Sequence, residues 1–292
     1  MNIIIVKDFE EMSRKAAHLF VAQLLNKPDS VLGLATGSTP LGLYRELVAF
    51  CNQGMISFDK VVSFNLDEYI GLEPDHPQSY SHFMEQELFS RVDIRPENTF
   101  IPSGISKDVE AECKGYDKRI AAYGGIDLQV LGIGRNGHIG FNEPDLKFEA
   151  RTHVVQLDEQ TIRDNARFFK EIGDVPRRAI SMGIKTIMQS RQIVLLASGK
   201  EKAEAIEKML NGNITPEVPA SVLQLHPNAT AIIDLAAASL LDLQQIGEEY
   251  QTAAPKAAQT RKDDEDVGFV QEEDSQPPSG HGRGSRPHHG GA

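Results

Sequence analysis

The sequence has no tryptophan and only 2 cysteines, Cys51 and Cys113, which lie far apart and form no CxxC pair. A disulfide framework or a thiolate metal site needs more cysteines at closer spacing, so neither is expected. No apolar run approaches the length of a membrane span, and the first residues, MNIIIVKDFEE, lack the features of a secretory signal. These absences predict a soluble protein of the reducing cytoplasm, with no membrane partner.

Basic residues are also scarce, because 30 Lys and Arg stand against 42 Asp and Glu, a net charge of -12. A nucleic-acid-binding protein normally shows a basic face, so this balance disfavours a nucleic-acid partner. Phosphorylated metabolites remain candidate ligands, since a local cluster of basic side chains is enough to bind one. The length of 292 residues suits one large α/β domain, or a domain with an appendage.

Short apolar segments alternate with amphipathic segments along most of the chain. The apolar segments predict buried strands over residues 2–6, 31–35, 61–66, 127–133, 153–157, 179–182, 192–197 and 229–235. The amphipathic segments predict helices over residues 8–25, 41–50, 79–89, 107–123, 158–169 and 198–210. This alternation predicts an α/β protein with a largely parallel sheet covered by helices.

The composition changes from about residue 244, where Pro, Gly, Ser and Gln accumulate and the acidic run Asp263–Asp266 appears. Such a segment cannot bury enough apolar surface to offset the entropy lost on ordering. We therefore expect a folded domain over residues 1–243 and a low-complexity, disordered tail over residues 244–292.

The stretch LGIGRNGHIGFNEP, residues 131–144, follows a predicted buried strand and forms a glycine-rich loop. Within it, His138 is a potential proton carrier, Glu143 a carboxylate that could orient the imidazole, and Asn136 an amide that could bind a substrate oxygen. Open α/β sheets bind their ligands at such loops. The alternative is an ordinary glycine-rich turn with solvated side chains, and this stretch by itself does not decide between them.

Two further strand ends have small residues at the start of a helix. Gly37, Ser38 and Thr39 follow the second strand, with Thr39 suited to cap a helix and Pro40 to be its first residue. Backbone N–H groups at such a helix start attract anions, although an ordinary turn is the alternative. The segment 198–202, SGKEK, repeats the arrangement with two lysines that could neutralise a phosphate. Neither segment is a P-loop, because GxxxxGK[ST] is absent.

Asp67 and Glu68 end the third predicted strand, which makes Asp67 a candidate base, although a solvated strand end is the commoner explanation of such a pair. If the strands are parallel neighbours, the polar clusters that follow them meet at one edge of the sheet. These clusters are residues 37–39, 67–68, 134–143 and 199–202. A dinucleotide cofactor is not expected, since no GxGxxG follows the first strand.

The segments LATGSTPLGLY, FNLDEYIGL, LGIGRNGHIGFNEP, ARFF and LQLHP occur in this order. Together they resemble the glucosamine-6-phosphate deaminases of the glucosamine/galactosamine-6-phosphate isomerase family, and the resemblance runs from the N-terminus to about residue 240. It implies a Rossmann-like three-layer α/β/α fold. It also implies conversion of glucosamine 6-phosphate and water to fructose 6-phosphate and ammonia, by ring opening, aldose–ketose isomerisation and deamination. No metal and no organic cofactor are implied.

The resemblance also implies roles for individual residues. Asp67 would be the base that moves a proton from C2 towards C1 of the sugar. His138 would open the pyranose ring, supported by Glu143 and Asn136. The residues implied for the 6-phosphate are Gly37, Ser38, Thr39, Arg167 and Lys202. Lys200 competes for the role of Lys202. Taken without the resemblance, Arg167 and Lys202 are each expected to be surface charges on amphipathic helices.

The chain departs from the pattern of the allosterically activated members of this family. Those members have an aspartate where this chain has Asn136, and basic residues where it has His153 and Val155. Activation by N-acetylglucosamine 6-phosphate is therefore not expected, nor is the hexamer that accompanies it. A monomer and a smaller homo-oligomer both remain open.

Two other functions compete with this reading. A sugar-phosphate-sensing domain of a transcription regulator should lose the proton-transfer residues and be joined to a helix-turn-helix segment. A 6-phosphogluconolactonase needs a histidine but no base at Asp67. The presence of Asp67, His138 and Glu143 together favours the deaminase.

Overall fold

A computed structural model describes residues 1–242 of the chain. The predicted tail over residues 244–292 and the domain boundary before it lie outside the described residues.

The described residues form a layered α/β structure. The strands are β1 (Asn2–Val6), β2 (Val31–Leu34), β3 (Val62–Asn65), β4 (Asp67–Tyr69), β5 (Thr99–Phe100), β6 (Leu128–Gly132), β7 (His153–Gln156), β8 (Arg178–Ser181), β9 (Gln192–Ala197) and β10 (Ala229–Asp234). The helices are α1 (Phe9–Asn26), α2 (Leu41–Asn52), α3 (Tyr80–Glu87), α4 (Val109–Ala122), α5 (Glu159–Asn165), α6 (Ile184–Met188) and α7 (Ala203–Asn211). Short 3-10 turns join several of them.

The central sheet has the strand order β1-β10-β9-β6-β2-β3-β5, and every neighbouring pair is parallel. Parallel strands are covered by helices on both faces, which is why β2, β3 and β10 are buried along their whole length. The predicted α/β fold with a mostly parallel sheet is confirmed. No helix within residues 1–242 combines the length and the apolar character that a membrane span requires.

Helix starts show why the sequence signals worked. Asp8 caps α1, since its Oδ1 accepts a hydrogen bond from Glu11 N at 2.9 Å. The Glu11 carboxylate in turn accepts a hydrogen bond from Lys7 N at 2.8 Å, so the backbone N–H groups of Glu11 and Lys7 both have a partner. Ser79 caps α3 and Asp108 caps α4 in the same manner.

Helix α2 begins at Leu41, as the predicted range 41–50 has it, but the assignment of Thr39 as its cap and Pro40 as its first residue was wrong by one residue. Pro40, with φ -81° and ψ -4°, is the residue before the helix, and no side chain caps α2. A side-chain cap requires an extended residue at that point. The N–H groups of residues 37–39 still lie just before the first turn.

A second, antiparallel sheet with the order β4-β8-β7 was not anticipated. The segment predicted to end β3 therefore continues as a new strand, in which Asp67 pairs with Ser181. Leu66 joins the two sheets, because its N–H donates to Leu34 O and its carbonyl accepts from Met182 N. A separate small core that includes Tyr69, Phe141 and other apolar residues lies against this sheet.

Candidate active site

One cavity of about 400 Å³ opens where β2, β6 and β9 end. Residues from all four predicted polar clusters line it, which confirms that the sheet brings them together. The contributors from these clusters are Gly37, Ser38, Thr39, Asp67, Gly134, Arg135, His138, Gly140, Phe141, Glu201 and Lys202. Helix α5 and the turn after it add Thr161, Arg163, Asp164, Asn165 and Arg167.

The end of the cavity next to β2 is suited to an anion. Gly37 has a φ of +94°, which only glycine adopts readily, and this lets the backbone turn into the 38–39 segment. Arg167 Nη2 lies 3.4 Å from Ser38 Oγ, so a guanidinium faces the small-residue loop. Lys202 Nζ donates to Ile133 O at 2.8 Å, and burial lowers the pKa of Lys202. Lys200 is exposed and does not line the cavity.

Asp67 supplies a buried carboxylate to the middle of the cavity, where it is only 6 % exposed. Burial, followed by the negative charge of the neighbouring Glu68, raises the pKa of Asp67 to about 8. Gly140, with a φ of +58°, passes close by, since a Cβ at that position would lie 3.5 Å from Asp67 Oδ2. A carboxylate with a raised pKa is a stronger base when ionised than one in water.

Glu68 does not accompany Asp67 into the cavity, although both belong to the polar cluster 67–68 that was predicted to reach this edge of the sheet. Successive side chains of a strand point to opposite faces, and Asp67 and Glu68 both belong to β4. The Glu68 carboxylate instead accepts hydrogen bonds from the backbone N–H groups of Tyr69, Tyr80 and Ser81, at 2.8 to 2.9 Å. It therefore anchors the start of α3.

The central loop forms a histidine–glutamate pair. His138 Nδ1 lies 3.2 Å from Glu143 Oε2, and Asn136 Nδ2 donates to the same oxygen at 2.8 Å. Burial by itself would raise the pKa of Glu143, but the His138 imidazole, with Thr161 and Asn136, holds it below its ordinary value. An ionised Glu143 favours a proton on the imidazole nitrogen that faces it.

Gly134 is required by the same packing, since a Cβ there would overlap the His138 ring. His138 lines the cavity, whereas Asn136 and Glu143 do not. The Asn136 amide was expected to bind a substrate oxygen, but in the structure it is engaged by Glu143 and by the backbone N–H of His138.

Sequence reasoning missed several residues that line the cavity. Thr161 and Asp164 are two of them, and their spacing of three residues from each other and from Arg167, which the resemblance had already implied, is the signal that could have found them. Arg135 lies inside the loop already singled out, but a charged residue beside glycine is no signal by itself. Tyr80 comes from the first turn of α3, and nothing local in the sequence connects it to the cavity.

Within residues 1–242, no group of three or more His, Cys, Asp or Glu side chains is arranged to hold a metal ion. The expectation that no metal is needed stays a prediction. A parallel α/β sheet with an anion cradle, a buried carboxylate and a histidine–glutamate pair at one edge defines a class, the enzymes that move protons on small phosphorylated substrates.

Comparison with known proteins identifies the family. The sequence model of the glucosamine-6-phosphate isomerases/6-phosphogluconolactonase family matches residues 7–232, and the chain belongs to this family. The glucosamine-6-phosphate deaminase of Thermoanaerobacter pseudethanolicus is 56% identical over 249 residues, which cover 84% of this chain and 98% of that protein. That of Clostridium acetobutylicum is 57% identical over 241 residues, covering 82% and 100%.

Solved structures agree with the sequence comparison. A monomeric glucosamine-6-phosphate deaminase superposes with a TM-score of 0.81 and 49% identity, over 82% of this chain and 100% of the other. A 6-phosphogluconolactonase from Trypanosoma cruzi gives a TM-score of 0.67 over 82% of this chain and 96% of the other, but only 19% identity, so that likeness concerns the fold alone. The resemblance inferred from the sequence is confirmed.

Proposed function

We propose that this chain converts glucosamine 6-phosphate and water to fructose 6-phosphate and ammonia. The observation that carries the proposal is that Asp67 and His138 line one cavity whose other end is built for an anion. A deaminase must hold a phosphorylated sugar while one group acts at its ring oxygen and another at its second carbon. Relatives that are 56% to 57% identical over most of the chain bear the name of this enzyme.

The 6-phosphate would bind to the N–H groups and hydroxyls of residues 37–39. Arg167 would contribute a guanidinium, since it already contacts Ser38, and Lys202 a half-buried ammonium. Hydrogen bonds between charged groups in a partly desolvated site are stronger than those in water, so this end would fix the sugar's position. Lys200 is the weaker candidate, because its side chain is exposed outside the cavity.

His138 would open the pyranose ring by taking the proton of the C1 hydroxyl and returning one to the ring oxygen. The C1 oxygen then becomes a carbonyl as the bond from C1 to the ring oxygen breaks. Imidazole can donate and accept near neutral pH, and Glu143 stabilises its protonated form. Asn136 keeps Glu143 in place by its hydrogen bond.

Asp67 would then remove the proton from C2 and deliver it to C1. This transfer, together with a proton passing from the C2 nitrogen to the C1 oxygen, converts the open-chain amino sugar through an enol-type intermediate into an imine at C2. Water adds to the imine, and the C2–N bond breaks to release ammonia and leave the ketone of fructose 6-phosphate. The burial of Asp67 makes its carboxylate basic enough to act on carbon, and the substrate nitrogen acidifies the C2 proton.

The competing functions have less support. A lactonase would leave the buried Asp67 without a role, and the similarity to lactonase structures shows the fold alone, as in the pair at 19% identity. A sensing domain would have no use for the His138–Glu143 pair. The described residues retain the whole proton-transfer set.

We also propose an oligomeric state, a cellular compartment and a domain boundary for this chain. The 49% identical relative is described as monomeric, and this chain has His153 and Val155 where activated members are basic. We infer a protein that acts without a hexamer and without activation by N-acetylglucosamine 6-phosphate. Cys51 and Cys113 are free thiols, which suits the cytoplasm. The family model matches residues 7–232, which supports a catalytic domain over residues 1–243.

The test is an ammonia-release assay on glucosamine 6-phosphate, with and without N-acetylglucosamine 6-phosphate. The proposal expects equal amounts of ammonia and fructose 6-phosphate, at a rate that the acetylated sugar does not increase. Absence of ammonia would refute the deaminase. A sigmoidal rate curve that the acetylated sugar makes hyperbolic would refute only the proposal on activation.

A further inference from the structure

Arg135 borders the anion-binding half of the cavity and has no part in the function described above. It lies in the central loop, two residues after Ile133, whose carbonyl accepts the hydrogen bond from Lys202 Nζ at 2.8 Å. One short backbone segment therefore holds the Lys202 ammonium and carries Arg135, and both residues line the cavity. Arg167 reaches this half of the cavity from the turn that follows α5.

The partner of Arg135 is a carboxylate that also lines the cavity. Arg135 Nε lies 3.7 Å from Asp164 Oδ2, which is longer than a hydrogen bond, so the pair is held by charge. The side chains are 51% and 34% exposed, and ion pairs of this kind contribute little to stability. Asp164 itself is fixed, because its Oδ1 accepts from Gln160 Nε2 at 2.9 Å. The guanidinium can thus exchange partners while the carboxylate stays in place.

The neighbouring charges show that this pair shares the field of the phosphate site. Burial lowers the pKa of Lys202, and the positive charges of Arg135 and Arg167 lower it further. The negative charges of Glu201 and Asp164 act on Lys202 in the opposite direction. An incoming phosphate would be attracted by Arg135 and Arg167 and repelled by Glu201 and Asp164.

We propose that Arg135 is a third cation for the 6-phosphate of the substrate, and that Asp164 competes with the phosphate for it. This rests on the proposed function, which supplies the phosphate. A guanidinium binds a phosphate through two parallel N–H bonds, whereas its contact with Asp164 has no such hydrogen bond. The pair would then tune the affinity of the site for the phosphorylated sugar, and Asp164 would keep that affinity below its maximum.

The test uses Arg135→Gln, Asp164→Asn and the double variant. KM and kcat for glucosamine 6-phosphate are measured, together with the inhibition constant of inorganic phosphate. Arg135→Gln is expected to raise KM and the inhibition constant about tenfold while kcat changes less than about twofold, since a charged hydrogen bond to the phosphate is lost. Asp164→Asn is expected to lower both constants about threefold. In a chain that already carries Arg135→Gln, the same change should lower them less, because Asp164 then has no guanidinium to withhold from the phosphate.

Arg177→Gln is the matched control, because Arg177 forms an exposed pair with Glu159 away from the cavity and should leave both constants unchanged. The inference is overturned if Arg135→Gln leaves KM and the inhibition constant unchanged, or if Asp164→Asn raises them. It is also overturned if the two changes add fully. These results require a wild-type protein that releases ammonia, and failure of that release would refute the proposed function instead.

Discussion

Asn136 and His138 meet on one atom, since the Asn136 amide donates to the Glu143 Oε2 that lies 3.2 Å from His138 Nδ1. A neutral amide can hold a carboxylate but cannot stabilise a protonated imidazole by charge. The electrostatic support of ring opening therefore belongs to Glu143. Asn136 contributes by keeping that carboxylate in line with the ring.

Substitutions of Glu143 and Asn136 should consequently lower kcat by different factors. Glu143→Gln removes the charge that stabilises protonated His138 and should lower kcat by about 10²-fold or more, within the usual range for acid–base support. Asn136→Ala removes one hydrogen bond and should lower kcat only about tenfold. Steady-state kinetics on glucosamine 6-phosphate measures both. Equal losses, or a larger loss for Asn136→Ala, would show that the amide contacts the substrate directly.

Lys202→Ala should raise KM for glucosamine 6-phosphate far more than for free glucosamine. The reason is that the ammonium is held at the phosphate end of the cavity by its bond to Ile133 O. An increase on the order of tenfold to a hundredfold is expected for a charged hydrogen bond. Lys200→Ala is the matched control, because Lys200 is exposed and should leave KM unchanged. The same increase for both sugars would remove Lys202 from the phosphate site.

The raised pKa of Asp67 has opposite effects on activity and stability. Activity needs the ionised carboxylate, so kcat/KM should rise with pH and level off above about 8. For stability, the folded chain holds this proton more tightly than the unfolded chain does. The stabilising contribution is full below the ordinary pKa of 3.8 and is lost as pH rises through the folded value of about 8.

Asp67→Asn removes that pH-dependent loss, since an amide has no proton to release. The free energy of unfolding should exceed that of the wild type at pH 9, and the two should converge near pH 4. Urea unfolding at both values measures the difference. A variant less stable than the wild type at pH 9 would show that the carboxylate is stabilised by the fold.

At the other end of the strands, Asp127 is a buried structural carboxylate. Its oxygens accept from Lys27 Nζ at 2.7 Å, Arg191 Nη1 at 2.8 Å and Val31 N at 2.8 Å. Asp127→Ala should lower the free energy of unfolding by about 1–3 kcal/mol, because it leaves the buried Val31 N–H without its partner, whereas the Lys27 and Arg191 side chains are 41% and 58% exposed. Chemical denaturation measures this, and kcat/KM should be unchanged at a temperature where the variant is folded.

An exposed ion pair provides the comparison. Asp59 and Arg95 are about half exposed, with Nε and Oδ1 2.9 Å apart. Asp59→Ala should therefore cost less than about 1 kcal/mol. If Asp127→Ala costs no more than this, the Asp127 network is not a structural anchor.

Local signals in the sequence accounted for most elements. Short apolar runs such as 192–197 predicted buried strands, and Asp8 with Glu11 marks a helix start through hydrogen bonds to nearby backbone. The second sheet was not predicted, because the pairing of Asp67 with Ser181 joins residues far apart in the chain. For the same reason, no local signal showed that Glu68 turns to the backbone of α3.

In the candidate site too, local signals could be predicted and contacts between distant residues could not. Gly37, Asp67, His138 and Lys202 were found because each follows a strand, and a parallel sheet gathers such positions at one edge. Arg135 was overlooked, since its significance depends on Asp164 from a different element. Contacts between distant segments need coordinates.

The most direct test of the account is to measure binding and turnover of Asp67→Asn on the same preparation. Calorimetry should show that fructose 6-phosphate binds within about threefold of the wild-type affinity, because the phosphate site is intact. Ammonia release from glucosamine 6-phosphate should fall by at least about 10³-fold, because no base remains at C2. Near-wild-type ammonia release by this variant would contradict the assignment of Asp67 as the base.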